Sequence, residues 1–172
     1  AVNLEHPGPH LQLLRGGGLL LTTGVNLPED DAGLSAYVAD LDAAGAAGVA
    51  RLVHVSSVGV YGAPPGSGAV DESFVHSPTD PYERSKAAGE AQVREACALA
   101  GIELVIMRPA NVIGLMPGGG MPLRGLILAI GRGLFTWFGP AGQPWLNYVH
   151  VDDTAAAIVD AAENARAGEA YN

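Results

Sequence analysis

Apolar runs and helical patterns alternate along most of the chain. Leu19-Leu20-Leu21-Thr22-Thr23 follows three glycines and is closed by Gly24, which predicts a buried strand. After the polar, turn-rich stretch 26–33, Leu34, Val38 and Leu41 recur at helical spacing. They predict a helix over 34–45, with Gly48 as its stop. Residues 51–57 (RLVHVSS) are β-prone and apolar at successive positions, the pattern of a central parallel strand. Residues 62–80 hold Pro64, Pro65, Gly66, Gly68 and Pro78 and predict a long loop, a length that compact domains usually keep for function. The clearest helix is Pro81–Ala100, with Asp80 as N-cap, Pro81 in the first turn and Gly101 just past its end. A second buried strand is predicted over 102–107, closed by Arg108-Pro109, then a short helix over 123–130 between glycines. Residues 145–151 predict a strand or edge segment, and Asp152 or Asp153 the cap of an alanine-rich helix reaching about Asn164. Such alternation is that of an open, mostly parallel α/β sheet. No internal repeat interrupts it.

Composition narrows the class. Of 172 residues, 48% are hydrophobic and 16% charged, which excludes a disordered or acidic solvating polymer. Nine basic against 18 acidic residues leave a net charge of -9, which argues against duplex nucleic acid or an anionic membrane surface as partner. Cys97, the single cysteine, can form no internal disulfide or metal cluster, as expected in a reducing cytoplasm. It is read as a small buried hydrophobe. Residues 1–15 lack the basic-then-apolar layout of a signal peptide, and Arg124 and Arg132 break the longest apolar stretch. The five histidines show no ligand spacing, and His54 and His150, alternating with apolar neighbours, are expected to be structural. A soluble, cytoplasmic domain without a metal follows. Its basic residues are eight arginines and one lysine, Lys86.

The sharpest chemistry lies in Tyr82-Glu83-Arg84-Ser85-Lys86, on the long helix. Positions i and i+4 share a face, so phenol and ammonium meet there. A nearby positive charge favours phenolate and brings a tyrosine pKa down from ~10 toward usefulness. Tyr82 is thus a candidate general acid/base tuned by Lys86; a Tyr–Lys pair on a solvated helix surface is the bland alternative. Ser57, in Ser56-Ser57-Val58-Gly59-Val60-Tyr61-Gly62, follows the strand, where ligands meet open α/β sheets. It could orient a substrate oxygen or merely satisfy the turn after the strand.

Taken together, the motifs resemble the extended short-chain dehydrogenases/reductases, the NAD-dependent epimerase/dehydratase family. Val53-His54-Val55-Ser56-Ser57-Val58-Gly59-Val60-Tyr61-Gly62 is similar to that family's strand-and-turn motif, and Tyr82 and Lys86 fall on its YxxxK pair. Arg108-Pro109-Ala110-Asn111-Val112-Ile113-Gly114 resembles its RPxNVxG stretch, Tyr148-Val149-His150-Val151-Asp152-Asp153-Thr154-Ala155 its YVHVDDxA stretch, and Tyr171-Asn172 its YN. The resemblance implies a Rossmann-type, doubly wound, mostly parallel sheet. Residues 1–114 would form part of the NAD(P)-binding core, from about the fourth strand; residues 115–172 would form part of a small substrate-binding region interleaved with the last core elements. It implies hydride transfer between a substrate C–OH carbon and NAD or NADP. Tyr82 would move the hydroxyl proton, Lys86 would lower its pKa and hold the nicotinamide ribose, and Ser57 would orient the substrate oxygen. Pro109 and Val112 would line the nicotinamide side, Asn111 would contact the substrate, and a homodimer through the long helix would be expected.

Departures from the family pattern sharpen these expectations. Nothing here has the form of the family's GxxGxxG loop between a strand and a helix: Gly16-Gly17-Gly18 precedes a strand, and Gly118-Gly119-Gly120 follows the wrong one and lacks the third glycine of the pattern. Val58 and Gly59 stand where the family's dehydratases carry an acidic pair, which implies redox chemistry without elimination of water. Leu146 stands where many nucleotide-sugar epimerases carry a diphosphate-binding Arg; Arg124 or Arg132 could supply that charge or be solvated helix-end cations. Leu126, Phe135, Trp137 and Phe138 could line an apolar pocket or simply pack. The first reading is an NAD(P)-dependent oxidoreductase/epimerase acting on a nucleotide sugar. A ketone/alcohol or 3-hydroxysteroid-type dehydrogenase and a non-catalytic scaffold are the alternatives.

Overall fold

The computed structural model describes residues 12–13, 19–23, 31–63, 69–114, 124–134 and 147–172. A five-stranded sheet has the order β1 (Gln12–Leu13), β2 (Leu19–Thr23), β3 (Arg51–Val55), β4 (Glu103–Met107) and β7 (Ala170–Tyr171), the last numbered by chain order after the two strands below. β1 pairs antiparallel to β2, and all other neighbours in this sheet are parallel. β5 (Asn111–Ile113) and β6 (Tyr148–His150) form a separate parallel pair. Between the strands run α1 (Asp31–Ala46), α2 (Pro81–Ala100), α3 (Arg124–Gly131) and α4 (Val151–Asn164).

Helices cover the main sheet on both faces. Leu52, Leu104 and Ile106 pack against Leu41 and Ala44 of α1 and against Val93, Ala96 and Cys97 of α2. The alternate positions Val53 and Val105 meet Ile158, Ala161 and Ala162 of α4. Strands buried on both faces are what an unbroken apolar run produces, and the period of two sends neighbours to opposite layers. The expected doubly wound α/β arrangement is thus the observed one. Arg51 stitches the amino ends together: it pairs with Glu103 at 2.7 Å and donates to the carbonyls of Ala162 and Ala165, where a cation suits the end of α4.

α2 begins and ends as its sequence predicts. Asp80 accepts from the Glu83 N–H at 2.8 Å while the Glu83 carboxylate accepts from the Asp80 N–H, a reciprocal capping box, and Pro81 fills the first turn. Gly101 closes the helix in the left-handed region, φ 68°. The start of α4 differs from expectation. Its N-cap is His150, whose Nδ1 accepts from the Asp152 N–H, because β6 runs into the helix without a connecting loop. Asp152 and Asp153 lie in the first turn instead, where they favour the positive end of the helix. Among the described residues, no helix is long and apolar enough to cross a membrane.

Candidate active site

Three segments meet at the carboxyl end of β3 and β4. After β3 the chain makes a 3₁₀ turn, Val58–Tyr61, capped by Ser57, whose Oγ accepts from the Gly59 N–H at 3.1 Å. The turn role read for Ser57 is therefore real, and it uses only one acceptor position of a group that has two and a donor besides. The end of β4 is joined to this turn: Met107 accepts from the Ser56 N–H and Pro109 from the Val58 N–H. The first turn of α2 closes the third side. A Cβ on Gly59 would stand 3.3 Å from Cγ of Glu83 and 3.4 Å from Oγ of Ser57, so the glycine lets helix and turn come this close.

Tyr82 and Lys86 share one face of α2 as the i, i+4 spacing requires. Tyr82 is half exposed, whereas Lys86 is buried, with its Nζ 5.6 Å from the Tyr82 ring centre. Burial pulls the Lys86 pKa down from its ordinary value. An exposed phenol above a buried ammonium can exchange a proton with a ligand while the charge below stays shielded from bulk water. Asn111 and Val112 lie on β5. The Asn111 side chain donates to the Asn147 carbonyl at 3.1 Å, and Val112 is 37% exposed. Arg124 and Arg132 are exposed on and just after α3. The triple glycines, Phe135, Trp137, Phe138, Leu146 and the Leu126 side chain lie outside the described residues.

A buried polar network lies behind these groups that the spacing of the sequence did not suggest. Arg108, 3% exposed, donates through Nε and Nη2 to both oxygens of Glu90, at 2.9 and 2.7 Å, and through Nη1 to the Tyr61 hydroxyl at 2.6 Å. Tyr61 in turn donates to Oδ1 of Asn172 at 2.9 Å. Burial alone would raise the Glu90 pKa, but the hydrogen bonds and charge of Arg108 hold it below the ordinary carboxylate value. Glu90 follows Tyr82 and Lys86 at the next i+4 step. An acid continuing an inward face is the one local signal that pointed here.

Residues 69–80 of the loop are held against the same network. The Ser77 N–H bonds the Val60 carbonyl, and the Asn172 N–H bonds Glu72 at 2.8 Å. Gly62 has a positive φ of 64°, and a Cβ there would run into the Ser77 carbonyl oxygen.

Comparison with known proteins places this arrangement. Residues 30–172 match the family described as the NAD dependent epimerase/dehydratase family. A UDP-glucose 4-epimerase of Mycolicibacterium smegmatis is 34% identical over 76% of this chain and 43% of its own length. The sterol demethylase protein B of Methylococcus capsulatus is 33% identical over 73% of this chain and 38% of its own. The crystal structure of UDP-glucuronic acid 4-epimerase from Bacillus cereus in complex with NAD superposes with a TM-score of 0.62 and 28% identity, over 76% of this chain and 42% of that one. The chain spans less than half the length of these relatives.

Proposed function

We propose a function from one premise: this chain belongs to the NAD dependent epimerase/dehydratase family. The whole protein is an NAD-dependent oxidoreductase/epimerase acting on a nucleotide sugar, and these residues carry its proton-transfer centre. The observation that bears the reading is the buried Lys86 ammonium beneath the half-exposed Tyr82. The relatives named for UDP-glucose and UDP-glucuronic acid support the substrate class.

Tyr82 takes the proton of a substrate hydroxyl as the carbon below it loses hydride, and returns it in the reverse direction. Lys86 stabilises the phenolate that accepts this proton, and its burial strengthens the attraction because little water screens it. Ser57 donates its remaining hydrogen to the same substrate oxygen and so fixes the distance to Tyr82. NAD held there would supply the acceptor and donor of the hydride. The exposed edge of Val112 and the open Tyr82–Lys86 face fit the nicotinamide-ribose end of NAD, with Pro109 beside the Ser57 turn. Val58 and Gly59 offer no acid or base, so the reaction stops short of dehydration.

In the full-length protein, Tyr82→Phe should lower turnover of UDP-glucose by ~10²–10⁴-fold, the usual worth of a positioned acid/base. NAD affinity should stay within about threefold, since the phenyl ring and Lys86 remain. Calorimetry and product analysis read both; an unchanged turnover removes Tyr82 from the mechanism. A 3-hydroxysteroid-type dehydrogenase is the second reading, favoured by the sterol relative and by the exposed apolar side chains Ile127, Ile130 and Leu134 on and after α3. Turnover of a sterol alcohol with no epimerisation of the nucleotide sugar decides for it. Failure of both substrates to turn over in an NAD-binding protein decides for a scaffold.

A further inference from the structure

We propose that Arg108 is a positioning residue, one guanidinium that holds in register the three segments carrying the site residues. The inference rests on the proton-transfer reading above for its effect on turnover, though not for its effect on structure.

Arg108 is itself the residue before Pro109, and so opens the segment that leads to Asn111 and Val112. Its paired bonds to Glu90 reach α2 one turn beyond Lys86 and two beyond Tyr82. Its bond to the Tyr61 hydroxyl reaches the last residue of the 3₁₀ turn that Ser57 caps. The guanidinium carbon also lies 5.2 Å from the centre of the Tyr61 ring. The two carboxylate bonds and the phenol bond come from one planar group, so turn and helix cannot shift separately without breaking one of them. The contact is 3% exposed on the arginine and 2% on the glutamate, which leaves no water to replace a lost bond.

A lysine in this place would keep the charge and lose the geometry, because an ammonium presents a point charge rather than a fork. Small displacements suffice to matter: about 1 Å at a reacting group can lower a rate by ~10²-fold. His76 also touches two of the segments, with Nε2 3.9 Å from Glu90 and its ring centre 5.7 Å from that of Tyr61, but both contacts are longer than the 2.6–2.9 Å hydrogen bonds of Arg108; Asn172 lies beyond Tyr61.

The test compares wild type, Arg108→Lys and the double variant Glu90→Gln with Arg108→Met, all in the full-length protein. The double variant leaves no lone buried charge, so it keeps the fold if the lysine variant does not. Amide hydrogen exchange should accelerate at least tenfold together in 58–61, 82–90 and 111–113, with α1 and the β3 core unchanged. With NAD and UDP-glucose, kcat per folded molecule should fall about 10- to 100-fold while KM stays within about threefold. Faster exchange confined to one of the three segments overturns the proposal. So does a folded variant with wild-type kcat. A wild type that does not turn over UDP-glucose refutes the reaction proposed above, and the exchange pattern then decides the positioning role by itself.

Discussion

His54 lies in the middle of β3, buried on the same sheet face as Leu52, toward α2. Burial first, and the Lys86 charge second, push its pKa from 6.5 to about 4. The folded protein therefore resists protonation that the unfolded chain accepts, so stability falls as pH drops from about 6.5 to about 4 and levels off below. The full loss for this one group is about 3 kcal/mol. Glu90, held below its ordinary value, contributes in a separate window, losing its part as pH falls below about 4.5. Denaturant midpoints at intervals from pH 7.5 to 4 should show the His54 slope, and His54→Gln should flatten it above pH 4.5. Equal slopes in both proteins refute the assignment. Residues differ in how far their roles can be read from the chain itself. Tyr82 and Lys86 declare each other because their partnership is four residues long. Arg108 meets Glu90 18 positions away and Tyr61 47 away, so only a folded sheet puts them together.

At the scale of elements, local grammar explains α2 almost completely. Asp80, Pro81, Glu83 and Gly101 act within a turn of the helix ends, where capping is decided by neighbours. Asp80→Ala should lower unfolding free energy by about 1 kcal/mol, the ordinary worth of an N-cap, since the Glu83 N–H then loses its acceptor. Chemical denaturation checks this, and a loss below about 0.3 kcal/mol would show that Glu83 and Pro81 hold the terminus without it. Strands β5 and β7 carry no comparable signature. They are three and two residues long, and their identity comes from pairing with β6 and β4 far along the chain. Asn111–Ile113 was legible as a motif and not as a strand for that reason. The cap of α4 was misplaced by two or three residues because aspartates suit both an N-cap and a first turn; what separated them was β6 ending at His150.

The whole molecule is a layered sheet whose alternation of strand and helix was visible from hydropathy alone, while the order of its strands came only from the register of the pairs. Its sequence contains no GxxGxxG turn, and it spans 43% of the epimerase it matches. The 172-residue chain should therefore bind NAD at least ~10²-fold more weakly than the full-length protein, for want of a pyrophosphate cradle at a helix N-terminus. Titration calorimetry on both decides it, and low-micromolar binding to the short chain contradicts it. The bond from Tyr61 to Asn172 spans 111 positions, roughly twice the span that brings Arg51 opposite Glu103. Closing it adds only about 0.6 kcal/mol of chain entropy, so stability hardly registers the distance. Time does. The β3–β4 ladder can assemble from nearer partners, whereas the Tyr61 hydroxyl must wait for Asn172 to arrive. Contact separation thus predicts that the β3–β4 ladder forms before the Tyr61–Asn172 bond.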